Sequence, residues 1–359
     1  MKRLLILEPY YGGSHKHFLD GLQRHIMADC LLLTLPARNW QMRMQLSAPW
    51  FVEQIKALPA GERQFDSVLC SSFTDVAVLR ALLAGVDGWD RHTRMLTYFH
   101  ENQFVYPQRF DDSNRHFLAG INFHSALASD GIAFNSVYNR DSFLDGCRKG
   151  LRAAPDMKLS AILTELSGKS RILPPGIEFS EIDSLQWKQS TDIPVIVWNH
   201  RWEFDKNPES FFRALDLLEQ GGIDFRLIVL GQSFQASPAC FSNCEHKFKD
   251  KILHYGFVPS YQHYITLLSK GDIVVSTALH EFYGISVLEA VRAGCLPVLP
   301  ARLSYPELFD REFLYSDDKL SEKLGGVIKK RCRLTAETAR AMTDRFGWPS
   351  LRQRYLEWL

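Results

Sequence analysis

The stretch His280-Glu281-Phe282-Tyr283-Gly284-Ile285-Ser286-Val287-Leu288-Glu289 holds two carboxylates eight residues apart with a glycine between them. It follows an apolar run at 272–276 and opens a helical pattern over 285–293, so one acid precedes the helix and the other lies just over a turn inside it. Gly284 lets a ligand come close to the backbone. The N–H groups of Tyr283, Gly284 and Ile285, at the positive end of the helix dipole, suit a phosphate. Carboxylates flanking an anion hole accept hydroxyl hydrogens, so the chemistry expected is binding of a ligand with both phosphate and hydroxyls, such as a sugar nucleotide. The alternative is an ordinary strand-loop-helix with solvated acids.

A second pattern, Asn199-His200-Arg201-Trp202-Glu203-Phe204-Asp205-Lys206-Asn207-Pro208, follows the apolar run 195–198. Two cations five residues apart, Arg201 and Lys206, lie at the carboxyl end of a strand, where doubly wound folds bind ligands, and together can neutralise a diphosphate. A solvated surface pair is the alternative. Asn207 and Pro208 read as a helix cap and first-turn residue. Past another strand, His254-Tyr255-Gly256-Phe257-Val258 offers backbone to the edge of a base, or simply turns.

In the first half, Glu8-Pro9-Tyr10-Tyr11-Gly12-Gly13-Ser14-His15-Lys16 runs from a strand through glycines into a helix with Ser14 as its expected cap. Gly12 and Gly13 permit close approach of a diphosphate or an acceptor, or make a tight turn; no Walker motif is present. Tyr98-Phe99-His100-Glu101-Asn102-Gln103 ends a further strand, leaving His100 either in a binding site or as a buried structural histidine. Cys240-x3-Cys244-x-His246 has three possible zinc ligands without a paired C-x2-C, and reads as a loop.

The elements that must carry these residues alternate as βα units. Short apolar runs at 3–7, 31–35, 66–70, 94–98, 131–134 and 170–173, then 195–198, 225–230, 252–255, 272–276, 296–299 and 313–315, are separated by amphipathic stretches. Pro174-Pro175-Gly176 and the polar stretch 178–192 separate the halves. The organisation expected is therefore a domain over 1–178, a second over 190–345, and a terminal helix over 346–359 that packs back on the first, with Ser350 near its start and Leu351, Tyr355, Leu356 and Leu359 on one face. The fold class is α/β, two doubly wound Rossmann-like domains with a cleft between them.

At 359 residues, 46% hydrophobic and 23% charged, the chain excludes disordered, collagenous and coiled-coil classes. A net charge of +1 argues against a general polyanion binder, although residues 1–175 carry 20 basic and 17 acidic side chains. Arg140, Arg148, Lys149, Arg152, Lys158, Lys169 and Arg171 form the best basic patch there, against Asp141, Asp145, Asp156 and Glu165. Seven scattered cysteines (30, 70, 147, 240, 244, 295 and 332), and no apolar run of signal-peptide or membrane-span length, lead us to expect a reducing cytoplasm.

The Arg/Lys pair followed by E-x7-E resembles the GT4 family of retaining glycosyltransferases with the GT-B fold. The resemblance implies that Arg201 and Lys206 hold the diphosphate, Glu281 the donor-sugar hydroxyls and Glu289 the ribose, with backbone N–H groups of Tyr283, Gly284 and Ile285 on phosphates or sugar. No D-x-D sequence occurs, in keeping with a metal-free transferase whose fixed cations and helix terminus stabilise the leaving nucleoside diphosphate.

With Glu8–Lys16, His100–Gln103 and Tyr106-Pro107 included, nearly the whole chain resembles the tRNA-queuosine mannosyltransferase family. That implies transfer of mannose from GDP-mannose, with retention, to the cyclopentenediol of queuosine at the wobble position of tRNA(Asp). Gly12, Gly13, Gly256 and Phe257 then join the donor site, and Tyr11, His15, Lys16, His100, Glu101 and Asn102 the acceptor site, with His100 orienting substrate rather than attacking. No cofactor or metal is expected, and tRNA would meet a local basic patch on the first domain. The competing expectations are a lipid or polysaccharide acceptor, for which 42–51 is the one candidate docking stretch, and a non-catalytic sugar-nucleotide or tRNA-binding module.

Overall fold

The computed structural model describes residues 2–107, 113–187, 193–233, 238–331 and 334–359, so Cys332 and the end of the polar stretch, 188–192, lie outside the described residues. The chain forms two compact units, Met1–Ile177 with Trp348–Leu359, and Glu178–Gly347.

In the first unit the strands are β1 (Arg3–Tyr11), β2 (Asp29–Pro36), β3 (Ser67–Ser71), β4 (Arg94–Phe99), β5 (Gly131–Phe134) and β6 (Ser170–Ile172). They pair in parallel in the order β2-β1-β3-β4-β5-β6. Leu4 to Leu7 and all of β3 and β5 are buried, because helices cover both faces of a parallel sheet and its strands read as unbroken apolar runs. The second unit repeats the design with β7 (Val195–Asn199), β8 (Arg226–Leu230), β9 (Ile252–Gly256), β10 (Ile273–Val275), β11 (Leu296–Pro300) and β12 (Leu314–Tyr315), ordered β12-β11-β10-β7-β8-β9. All twelve sequence-predicted strands are present, most a residue or two longer or shorter than expected.

The terminal helix spans Trp348–Trp358, inside the 346–359 range the sequence suggests and starting two residues later, and lies in the first unit's core with Leu4, Phe18, Tyr98 and Leu173. Trp348 decides the seating: a Cβ on Gly21 or on Gly176 would come within 2.2 Å of its ring. Pro174-Pro175-Gly176 is therefore a packing site as well as a break. The polar stretch after it is not a free linker. Helix Ser180–Asp183 belongs to the second unit, where Asp183 grips Arg292 at 2.6 Å and 2.7 Å.

Candidate functional site

In the second unit the chain leaves β7 toward β8 and β9 and returns on the other side at β10, so the loops after β7 and β10 flank a topological switch point. Those loops carry the two sequence motifs. The first turns through Phe204–Lys206 and enters helix Pro208–Gln220. Asn207 occupies the cap position with φ 49°, but its side chain makes no capping bond; the left-handed backbone is its contribution. The loops are stitched together by Leu279 N–H to the Asp205 carbonyl at 2.8 Å and by the Thr277 hydroxyl to the Lys206 carbonyl at 2.7 Å.

Buried Lys206 donates from Nζ to the His280 carbonyl at 2.7 Å and to Oε2 of Glu281 at 3.2 Å, with Asp205 Oδ2 at 3.4 Å. Glu281 Oε1 accepts the Tyr283 N–H at 3.3 Å, so that N–H serves the carboxylate. Burial would raise the Glu281 carboxyl, yet the Lys206 ammonium overrules it and holds it at about 2. Burial, reinforced by the same ammonium, pushes His200 and His280 each down to about 4 and keeps both imidazoles neutral. Arg201 sits differently: it is exposed and pairs with Glu203 at 3.0 Å, while its charge still acts on His280.

Gly284 has φ 106° immediately before helix Ile285–Arg292, a conformation glycine adopts without strain. The first N–H groups of that helix have no intrahelical acceptors and suit an anion. Glu289, one turn in, accepts the hydroxyls of Tyr261 and Tyr264, each at 3.1 Å. Burial raises its carboxyl to about 7 even though both hydroxyls favour the ionised form. Gly256 has φ 116° at the end of β9, and Phe257 beyond it is 59% exposed. Sequence reasoning missed Asp205, His200, His280, Tyr261 and Tyr264; the i,i+3 spacing of the two tyrosines was the available signal.

The first unit has its own switch point between β1 and β3. Glu8 Oε1 accepts the Tyr10 N–H at 2.8 Å and the Ser71 hydroxyl at 3.2 Å, and Oε2 faces His15 Nδ1 at 3.0 Å. Across the ring, His15 Nε2 faces Glu101 Oε2 at 3.3 Å, whose Oε1 accepts the Ser72 hydroxyl at 2.7 Å. A carboxyl group facing each ring nitrogen favours the imidazolium, which can donate to both. Burial opposes that charge, but Glu8 and Glu101 raise His15 to about 10. His100 stacks on it at 4.0 Å and is driven well below its usual value, first by burial and then by the His15 charge. Glu8, absent from the sequence-predicted site, anchors the cluster.

Other predicted residues are placed elsewhere. Tyr11 and Lys16 both bond Asp20, with Lys16 over the Tyr11 ring at 5.1 Å. Asn102 is fully buried and braces its loop on Asn139 at 2.9 Å and Ser142 at 3.0 Å. Gly12, not Ser14, is the cap residue, and a Cβ there would come within 2.4 Å of the Ala37 Cβ; Gly13 has φ 52° with open space around it. Packing against Ala37 and a turn thus account for the glycine pair. In the basic patch, Arg140, Arg148, Lys149 and Lys169 pair with neighbouring acids. Cys240, Cys244 and His246 lie on helix Cys240–Lys247, not in a loop, and among the described residues the one group with metal-ligand proximity is Glu8, His15 and His100.

Residues 3–177 match the profile of the tRNA-queuosine alpha-mannosyltransferase N-terminal domain, and 180–342 match the group 1 glycosyl transferases. The chain is 34% identical over 332 residues to the tRNA-queuosine alpha-mannosyltransferase of Drosophila melanogaster, covering 89% of this chain and 85% of that one. Among solved structures it superposes on the catalytic domain of Arabidopsis thaliana starch synthase IV bound to ADP and acarbose (TM-score 0.71, 13% identity, 99% and 98% covered). HepE from Anabaena in complex with UDP-glucose is a second neighbour (TM-score 0.68, 13% identity, 99% of each chain). The fold is thus that of GT-B glycosyltransferases, and the chain belongs to the tRNA-queuosine alpha-mannosyltransferase family.

Proposed function

We propose that this glycosyltransferase moves mannose from GDP-mannose to the cyclopentenediol of queuosine at the wobble position of tRNA(Asp), with retention of the α configuration and without a metal. The observation that carries the reading is the Lys206–Glu281 pair at the start of helix Ile285–Arg292, on a chain that belongs to the tRNA-queuosine alpha-mannosyltransferase family. Lys206, Arg201 and the helix N–H groups would stabilise charge on the departing diphosphate, Glu281 would hold the donor-sugar hydroxyls and Glu289 the ribose. The departing phosphate oxygen would take the proton of the attacking hydroxyl on the same face of the sugar, so positioning and electrostatics carry the rate.

Residues 1–178 are assigned the acceptor and 190–345 the donor, with His100 orienting substrate. Among the described residues no acid pairs with Arg152, Lys158 or Arg171 of the basic patch, and we assign them the tRNA backbone. Among the described residues no helix is long and apolar enough to cross a membrane, and we place the reaction in the cytoplasm with tRNA.

The test incubates the protein with queuosine-containing tRNA and GDP-mannose or UDP-sugars, with and without EDTA, and follows the modified nucleoside by mass spectrometry. One added hexose from GDP-mannose, unaffected by EDTA, is expected; no hexose from any donor would overturn the reading.

A further inference from the structure

The Glu8–His15–Glu101 cluster is unbalanced. It buries two carboxylates against a single imidazolium, and among the described residues no lysine or arginine bonds either acid. Its other donors, the Ser71 and Ser72 hydroxyls and the Tyr10 N–H, are neutral. One negative charge is thus left in a poorly hydrated setting, which is costly unless a cation joins it. A second observation points to a ligand. His100 is 7% exposed, stacks on His15, and has a ring nitrogen within 4.8 Å of ligand atoms of Glu8 and His15, yet among the described residues its ring takes part in no hydrogen bond. Buried polar groups are rarely left so unless something else completes them.

Queuosine differs from the neutral sugars that most glycosyltransferases extend. Its cyclopentenediol hangs from the base through a secondary amine, which is protonated at neutral pH and lies next to the hydroxyls that accept a sugar. We propose that Glu8 and Glu101, held apart by His15, form the receptor for that ammonium, while His100 accepts a hydrogen bond from the neighbouring diol. This rests on the acceptor proposed above and names the group by which it is told from a neutral one. Glu101 is the side chain that meets it, since its carboxylate keeps an 11% exposed edge while Glu8 keeps 1%. A divalent metal is the rival occupant, since Glu8, His15 and His100 lie close enough to ligate one, and the experiment separates the two.

The experiment compares an anticodon stem-loop bearing queuosine with one whose side-chain amine nitrogen is replaced by methylene, using the full-length protein. Binding is read by calorimetry and hexose transfer by mass spectrometry. Loss of the charge should weaken binding by about 10–100-fold, the range for a hydrogen bond to a charged group, and Glu101→Gln should bring the two stem-loops within about threefold of each other. Equal binding of both to the wild type overturns the inference, and this comparison needs no variant to fold. Discrimination without hexose transfer would support the receptor and refute the transferase reading; transfer without discrimination would do the reverse. A stoichiometric divalent metal in the purified protein, lost in Glu8→Gln, would also overturn it.

Discussion

The ammonium of Lys206 lies 3.2 Å from a carboxylate oxygen of Glu281, and the two residues come from loops on opposite sides of one topological switch point, 75 positions apart in the chain. Each conditions the other. Lys206 keeps Glu281 ionised in a site whose burial works against the charge, and Glu281 with Asp205 keeps the buried ammonium compensated.

Lys206→Ala or Glu281→Ala is expected to lower kcat/KM for hexose transfer by about 10²–10³, the scale for losing one preorganised electrostatic contact. Steady-state kinetics with saturating acceptor check this; near-wild-type rates in both variants would remove the pair from the site. Lys206→Met leaves the buried Asp205 and the partly buried Glu281 without their ammonium and should cost about 3–5 kcal/mol in denaturant melts. Adding Glu281→Gln should recover part of that loss.

Donor binding should depend on pH through Glu289. Its carboxyl is raised to about 7, so it is mostly neutral below that pH and a carboxylate above it. If the carboxylate accepts ribose hydroxyls, the donor KM rises as pH falls below about 7. Glu289→Gln should flatten the profile at a high KM. Tyr264→Phe removes a hydroxyl that favours the charged form and should move the midpoint upward.

His15 makes a stability prediction with a definite sign. Its value rises from 6.5 to about 10 on folding, so its contribution is complete below pH 6.5 and is lost as pH climbs through about 10. Thermal melts from pH 6 to 10.5 should show the wild-type Tm falling more steeply than that of His15→Gln. Parallel slopes would mean that the ring is neutral.

Trp348 seats the terminal helix in the first unit's core, and Trp348→Ala should cost about 3–5 kcal/mol, the usual range for a buried large-to-small change. Gly176→Ala should also destabilise, because its Cβ would be forced to within 2.2 Å of the indole. Urea melts of both variants check the seating; wild-type stability in each would contradict it.

Much of this molecule was legible in one dimension. A parallel strand buried on both faces must be apolar along its length, so all twelve strands stood out as short runs between amphipathic stretches. The two second-unit motifs were readable for the same kind of reason: Arg201, Lys206, Glu281 and Glu289 lie in two continuous segments, each at a strand's carboxyl end. Spacing within a segment survives folding as local geometry.

The pairings across segments were not legible, because they depend on strand order, which no local pattern encodes. That Lys206 buries itself against Glu281 follows from β7 lying beside β10. The acid Glu8 looked like the end of a strand, and only the adjacency of β1, β3 and β4 brings it to Ser71 and sets Glu101 on the other side of His15. The glycines divide along the same line. Gly284 needs its left-handed backbone for a local turn visible in the sequence, whereas Gly12, Gly21 and Gly176 answer to Ala37 and Trp348, distant residues that only the tertiary structure brings into contact. Residue type and short spacing set which chemistry was available here; the order of the strands decided which charges meet, and how far burial and neighbouring charge shift their titration.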